Sequence, residues 1–383
     1  MFNVNFKDCA QRWTLKWSDQ PSDVFPSWVA ETDYPLAPTV AAALQQLVAQ
    51  SDLGYPPTDE HSPLRPAWAR HLEGTYGFAV TESSVMPVGG AVTGLYASVM
   101  AFTAPGQEVV ISRPAYKPFT EAPQELGRRL VDVPLHDGTW GPIGSLDLDR
   151  MADALRSRPP LLLLCHPQNP TGKVIRPDEL RMLQELADRS GTVIVSDEVH
   201  APMSFVPFVP HAVASGAEGR TVTLVSMSKA FNLAGTRCGA AIVGPELQDR
   251  WLAVPRRLRS GVSMPGIVAT LAALEDAGQE WLAGLVAELH QRRDQLVSGL
   301  HEMSPAVKVA VPEAGYLLWA DFADSSIADD PAGSLLQAGL RVSAGRDFGP
   351  GADSHVRLNF ATSKEGVDRI LECISEAIAE NRS

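Results

Sequence analysis

Cysteine is scarce in this chain: four among 383 residues, Cys9, Cys165, Cys238 and Cys373. None falls in a Cys-x-x-Cys pair or a Cys/His pattern with zinc spacing. That excludes a disulfide framework and gives no reason to expect a metal site. Net positive charge is also lacking: 32 Lys and Arg stand against 45 Asp and Glu, a balance of −13. Neither a nucleic-acid nor an anionic-membrane surface is expected from such a chain. Arg256, Arg257 and Arg259 form a local basic cluster, read as a solvated helix face. No segment approaches the ~20 consecutive apolar residues of a membrane span. The first residues, MFNVNFKDCAQRW, contain no basic stretch leading into an apolar run, so no secretory leader is read there. There is no internal repeat and no low-complexity tract. What remains is an ordinary globular composition, 45% hydrophobic and 20% charged, long enough for more than one lobe. A cytoplasmic protein is the expectation.

Within that composition one stretch stands out, Ser226-Met227-Ser228-Lys229-Ala230-Phe231-Asn232-Leu233-Ala234-Gly235-Thr236-Arg237. It follows an apolar run, Val222 to Val225, that reads as a buried strand. A lysine amine serves an enzyme chiefly as a base or as a partner for a carbonyl carbon. Hydroxyls and a guanidinium nearby suit an anion such as phosphate. An aldehyde that carries a phosphate is pyridoxal 5'-phosphate (PLP). On its own the segment is equally compatible with a surface lysine in a serine-rich turn.

Taken in order, the chain opens with a Trp- and Pro-rich segment of some forty residues that reads as an extended arm. Helical patterns follow at 38–51 and 64–77, separated by a turn, Gly54-Tyr55-Pro56-Pro57, that exposes a tyrosine. Val85 to Val88 is a short strand, and Gly89-Gly90-Ala91-Val92 opens a helix to about Phe102. Such a turn offers free N–H groups to an anion. Strand candidates then recur at 108–112, 129–133, 161–165, 192–196, 222–225 and 239–243. Helical patterns fill 117–126, 147–156, 177–189 and 247–258. Short apolar runs separated by helices imply a mostly parallel sheet covered on both faces, with ligands at the carboxyl ends of its strands. Helices at 265–277 and 280–303 lead out of this sheet. Strands near 307–312, 316–322 and 355–360 and a helix from Lys364, with Thr362 and Glu365 at capping-box spacing, complete the chain. The expectation is a large α/β domain over 46–275 and a smaller α+β domain made of 1–45 and 276–383.

Two further motifs end strands. His166-Pro167-Gln168-Asn169-Pro170-Thr171-Gly172 forces a turn and holds Asn169, whose amide can donate to a ring oxygen. Ser196-Asp197-Glu198-Val199-His200 places Asp197 at the end of an apolar run. A carboxylate so placed needs a cation. A protonated pyridine nitrogen is such a cation, and its protonation makes the PLP ring an electron sink.

HPQNPTG, then SDEVH about thirty residues on, then SMSKAFNLAG about thirty further, resembles the fold-type I PLP-dependent enzymes, the aspartate aminotransferase superfamily. WVAETDYP, GYP, SRPAYKPF, HPQNPTGKV, YLLWADF and VRLNFA are similar in order and spacing to its MalY/PatB-like cystathionine β-lyase (C–S lyase) branch. The resemblance covers nearly the whole chain. It implies a large domain with a mostly parallel seven-stranded sheet, PLP as cofactor, and a homodimer with shared active sites. Lys229 would be joined to the cofactor and would move the substrate's Cα proton. Asp197 would pair with the pyridine nitrogen, Asn169 would bond the phenolic oxygen with His200 beside it, and Tyr116 would lie against the ring. Gly90, Ala91, Val92, Ser226, Ser228 and Arg237 would hold the phosphate, joined by Tyr55 of the neighbouring subunit. Arg357, with Asn169 and Ala30, would hold the substrate's α-carboxylate, Arg357 by a bidentate pair.

Two reactions share these residues: α,β-elimination from cystathionine or another S-substituted cysteine, and transamination. His200 matches the lyase branch, where aminotransferases usually carry Tyr. Arg237 matches general aminotransferases. Glu31 and Tyr34 replace the Asp and Phe usual in lyases. The lyase reading is preferred and an aminotransferase is the alternative. A purely regulatory, partner-binding role ranks behind both, because each position that would meet the cofactor carries competent chemistry.

Overall fold

The computed structural model describes residues 2–138 and 143–380. Its central sheet has seven strands: β1 (Val85–Val88), β2 (Glu108–Arg113), β3 (Arg129–Pro134), β4 (Leu161–Cys165), β5 (Val193–Asp197), β6 (Thr221–Val225) and β7 (Gly239–Val243), in the order β1-β7-β6-β5-β4-β2-β3. Every pair from β6 to β3 is parallel; β7 runs antiparallel to both β6 and β1. The sheet is thus mostly parallel, as the alternating pattern predicts. LLLLC, VIVSD and TVTLV are buried almost throughout, which is why these strands read as unbroken apolar runs. Pro87 is tolerated in β1 because that strand lies at the sheet edge, paired only to β7.

The principal helices are α1 (Pro38–Ala49), α2 (Leu64–Tyr76), α3 (Ala91–Phe102), α4 (Pro118–Glu125), α5 (Leu148–Leu155), α6 (Pro177–Ser190), α7 (Met264–Leu274), α8 (Asp276–Met303) and α9 (Lys364–Glu380). Helix α6 has its signals at both ends. Pro177 opens it, the Glu179 side chain accepts the Arg176 N–H at 3.1 Å, and Gly191 closes it at φ +74°. A four-stranded antiparallel sheet follows α8: β8 (Lys308–Ala310), β9 (Leu317–Asp321), β10 (Ser343–Ala344) and β11 (His355–Asn359), in the order β10-β11-β9-β8. One apolar cluster runs from α1 and α2 through α7 and α8 to this sheet and α9. Leu64, Trp68, Leu285, Tyr316, Phe360 and Ile374 are among its buried members.

Four local expectations differ from the structure. The 247–258 helix is two short pieces, Gln248–Leu252 and Arg256–Arg259, because Pro255 lacks the N–H and clashes with the preceding turn. The break after α7 falls at Glu275, in extended backbone at ψ 159°, so α8 begins at Asp276 and not at 280. At the start of α9, Ser363 is the cap: its hydroxyl accepts the Gly366 N–H at 3.2 Å, while the Thr362 hydroxyl is buried with no partner among the described residues. The N-terminal arm is not extended. It forms two helical turns, Phe6–Cys9 and Leu15–Ser18, and then pairs Phe25–Pro26 with Leu340–Arg341 of its own chain.

Candidate active site

Three neighbouring strands end side by side. Register places Cys165 of β4 beside Asp197 of β5, and Asp197 beside Leu224 of β6, two residues before Ser226. Beyond β4 the chain turns through Pro167 to Gly172. Glu313 fastens this turn to the four-stranded sheet: its N–H donates to Gly172 O at 2.9 Å and its carboxylate pairs with Lys173 Nζ at 2.6 Å. Asn169 is held there, 5% exposed. From β11, Arg357 reaches it, with Nη1 donating to Asn169 Oδ1 at 3.0 Å. Arg357 Nη2 donates to Trp28 O at 2.9 Å and Ser343 Oγ at 3.2 Å, and the guanidinium lies over the Phe348 ring. Its Nε is buried with no partner among the described residues. Burial pushes the Arg357 pKa down to about 10. It is a buried cation with an unused donor, the chemistry of a site awaiting an anion.

Lys229 is half-buried, and its Nζ donates to Ala30 O at 3.4 Å. Burial, reinforced by the Arg357 charge, holds its pKa below the usual lysine value; the charges of Asp197 and Glu31 oppose this. More of the amine is thereby unprotonated and free to react near neutral pH. Asp197, 8% exposed, is pushed up to about 6 by burial, against the N–H of Val199 and the charge of Lys229. His200, 6% exposed, is pushed down to about 3 by burial and then by the Lys229 and Arg357 charges, so it is neutral. Tyr116 borders the same space. Burial raises its phenol, and the charges of Arg357 and Asp197 both act on it. Lys229, Asp197, Asn169, His200, Tyr116, Arg357 and Ala30 therefore surround one cleft.

The expected phosphate end lies along the first turn of α3. Gly90 precedes it at φ +107°, a conformation that suits glycine, and the N–H groups of Ala91 and Val92 are among those a helix leaves free. Arg237 stands in left-handed backbone, φ +53°, with an exposed side chain that makes no hydrogen bond or ion pair with any described residue. Ser228 is half-buried beside Lys229. The Ser226 hydroxyl is already committed: it donates to Cys238 O at 2.8 Å and accepts the Ser228 N–H at 3.0 Å, with the residue 1% exposed. In this arrangement Ser226 braces the turn that carries Lys229. Tyr55 is fully exposed and is not brought to the cleft by its own chain. The donor set fits PLP: a carboxylate for a ring nitrogen, an amine for the aldehyde, and a helix start with an unpaired guanidinium for the phosphate.

Four residues that hold the cleft together escape the sequence motifs as functional positions. Asn359 Nδ2 donates to Val29 O at 2.6 Å and Glu31 O at 2.7 Å. Tyr316 donates to Ala30 O at 3.0 Å. Asn232, at φ +56°, exchanges two hydrogen bonds with the Thr32 backbone. Lys16 pairs with Asp33 at 2.9 Å, both side chains buried, and Trp17 donates to the same carboxylate oxygen at 2.7 Å. Together they fix residues 29–33 beside Lys229. Asn359 and Tyr316 lie inside motifs already noted, VRLNFA and YLLWADF. Lys16 lies in none.

Fold and cleft together define a protein of the fold-type I class. The chain belongs to the aminotransferase class I and II family, whose profile matches residues 29–374. It is 32% identical to the cystathionine β-lyase of Corynebacterium glutamicum over 97% of this chain and 98% of that protein. A Corynebacterium diphtheriae protein provisionally described as a PLP-dependent β-cystathionase superposes with a TM-score of 0.92 at 30% identity, over 99% of both chains. The PLP-bound C–S lyase of Staphylococcus hominis gives 0.89 at 25% identity, over 97% of this chain and 98% of that one.

Proposed function

We propose that this protein is a PLP-dependent carbon–sulfur β-lyase that cleaves cystathionine or related S-substituted L-cysteines to a thiol, pyruvate and ammonia. The observation that carries the reading is the convergence of a lysine of lowered pKa, a buried carboxylate and a buried arginine with a free Nε on one cleft. The end-to-end likeness to cystathionine β-lyases adds the identity of the leaving atom. When bound, PLP supplies a ring that takes up the electron pair left at the substrate's Cα. Arg357 and Asn169 bind the α-carboxylate, with Ala30 O close to the amine of Lys229. Lys229 Nζ takes the Cα proton. Asp197, as the carboxylate, keeps a proton on the ring nitrogen. As the sulfur leaves Cβ with its bonding electron pair, the pair at Cα would form the Cα–Cβ double bond; the thiolate takes up a proton, and one water hydrolyses the resulting enamine to pyruvate and ammonia. Neutral His200 stands beside Lys229 and Arg357 without adding a charge.

The active unit in this reading is a homodimer working in the cytoplasm, and Tyr55 completes the partner's phosphate site. In support, Tyr55, Val48, Leu53 and Leu258 expose large apolar side chains. All four cysteines are free, and among the described residues no helix is long and apolar enough to cross a membrane. No cluster of His, Cys, Asp and Glu among those residues could hold a metal. L-Cystathionine supplied with and without a keto acid tests the reaction. Pyruvate and thiol released without the keto acid support the lyase; amino transfer that requires it establishes the aminotransferase.

A further inference from the structure

Asp197 is followed in the chain by a second buried carboxylate. Glu198 is 3% exposed, and its Oε1 accepts the Ser196 hydroxyl and the His211 N–H, both at 2.9 Å. No hydrogen bond reaches Oε2 from any described residue. A carboxylate buried in a low-dielectric interior resists ionising unless it meets a cation. Asp197 has the charge of Lys229 nearby and, in the reading above, the cofactor's ring nitrogen. Glu198 has neither.

Besides Asp197, the groups packed near Glu198 are uncharged or already paired with one another. From α2, Tyr76 feels Glu198's charge, and its phenol is raised well above the usual range, mainly by burial. His211 is fully buried with both ring nitrogens unpartnered among the described residues, and burial pushes it down to about 3. His166, in the turn after β4, is pushed down to about 4 by burial and stacks on Phe208. Asp188 on α6 is engaged with Arg220 at 2.8 Å. No described cation forms an ion pair with Glu198.

We infer that Glu198 is a positioning residue that works as the neutral, protonated acid: it braces the turn carrying Asp197 and His200, and leaves Asp197 as the single negative charge available to the ring nitrogen. This rests on the role given to Asp197. Burial, with the Asp197 charge adding to it, pushes the Glu198 carboxyl up to about 8 against the two hydrogen bonds it accepts. Above that pH a second negative charge arrives beside Asp197. The linkage has a definite sign. A carboxyl whose folded pKa exceeds its unfolded value, about 4.3, lends stability fully present below the unfolded value and lost as pH rises toward the folded one.

The experiment compares the wild type with Glu198→Gln and Glu198→Ala. Gln is the isostere of the protonated acid and keeps an oxygen for Ser196 and His211. Infrared spectra of the cofactor-free protein at pH 7 should contain a protonated-carboxyl C=O band that Glu198→Gln lacks. The melting temperature of the cofactor-free wild type should fall more between pH 6 and pH 9 than that of Glu198→Gln. In the holoenzyme, Glu198→Ala should lower kcat about tenfold or more, as expected for lost buried hydrogen bonds. Glu198→Gln should restore it and carry activity further above pH 8. Identical infrared spectra with parallel melting curves would overturn the inference, and so would a Gln variant no better than Ala. Failure of the Asp197 role reads out separately, as unchanged cofactor retention in Asp197→Asn, and leaves the infrared comparison intact.

Discussion

Arg357 of β11 donates to the side-chain oxygen of Asn169 at 3.0 Å, across 188 positions of sequence. The bond ties the four-stranded sheet to the turn after β4, and it orients both candidate substrate ligands at once. Removing the arginine therefore does two things: it deletes the carboxylate's partner and leaves the Asn169 oxygen unpaired. Arg357→Ala is expected to raise KM about 10- to 100-fold, the span of a hydrogen bond to a charged group, with a smaller fall in kcat. Steady-state kinetics check this, and a wild-type KM would move the carboxylate site elsewhere.

Asp197 sets an acid limit. Burial pushes its carboxyl up to about 6 in the cofactor-free chain. Below that pH it is protonated and cannot hold a cationic ring nitrogen. PLP affinity should therefore fall as pH drops through about 6, measured by equilibrium dialysis against the free cofactor. Asp197→Asn should bind weakly and lose that pH dependence.

Asn359 secures the strip beside Lys229. Asn359→Ala leaves the Ala361 N–H without its partner and removes one of the hydrogen bonds accepted by Val29 O and by Glu31 O, which keep the Glu31 N–H and Lys16 Nζ. At about 1–3 kcal/mol for a buried group left unsatisfied, the variant should lose at least about 1 kcal/mol of stability in denaturant titration. KM should rise with it, because Ala30 lies in the released strip.

Tyr55 has no role within its own chain, where it is fully exposed. In the dimer proposed above, Tyr55→Phe deletes one hydroxyl near the partner's phosphate. PLP should then dissociate about tenfold faster, the cost of one charge-assisted hydrogen bond, with the sedimentation coefficient unchanged. Unaltered retention would remove Tyr55 from the site.

Three residues legible in the sequence share one property: each stands at or shortly after the carboxyl end of an apolar strand. Lys229, Asp197 and Asn169 follow TVTLV, VIV and LLLLC, and the parallel sheet brings those strand ends together without further information. Asn359 and Tyr316 were illegible because their partners are remote; Lys16 meets the nearby Asp33, but no motif marks that pair. Asn359 meets Val29 across 330 positions, and no local pattern encodes that distance. The Thr362–Glu365 spacing failed for a smaller reason: Ser363, one residue later, offers a competing hydroxyl in better register with Gly366. The break at Pro255 was written in the chain and follows from proline chemistry alone.

The most direct test of the central claim uses the PLP-loaded protein and L-cystathionine with no keto acid present, assaying thiol, pyruvate and ammonia together and running Lys229→Ala in parallel. The account predicts all three products in equal amounts from the wild type and none from the variant. Failure of the wild type to form pyruvate from cystathionine or from any S-substituted cysteine, with amino transfer appearing once a keto acid is added, would contradict it.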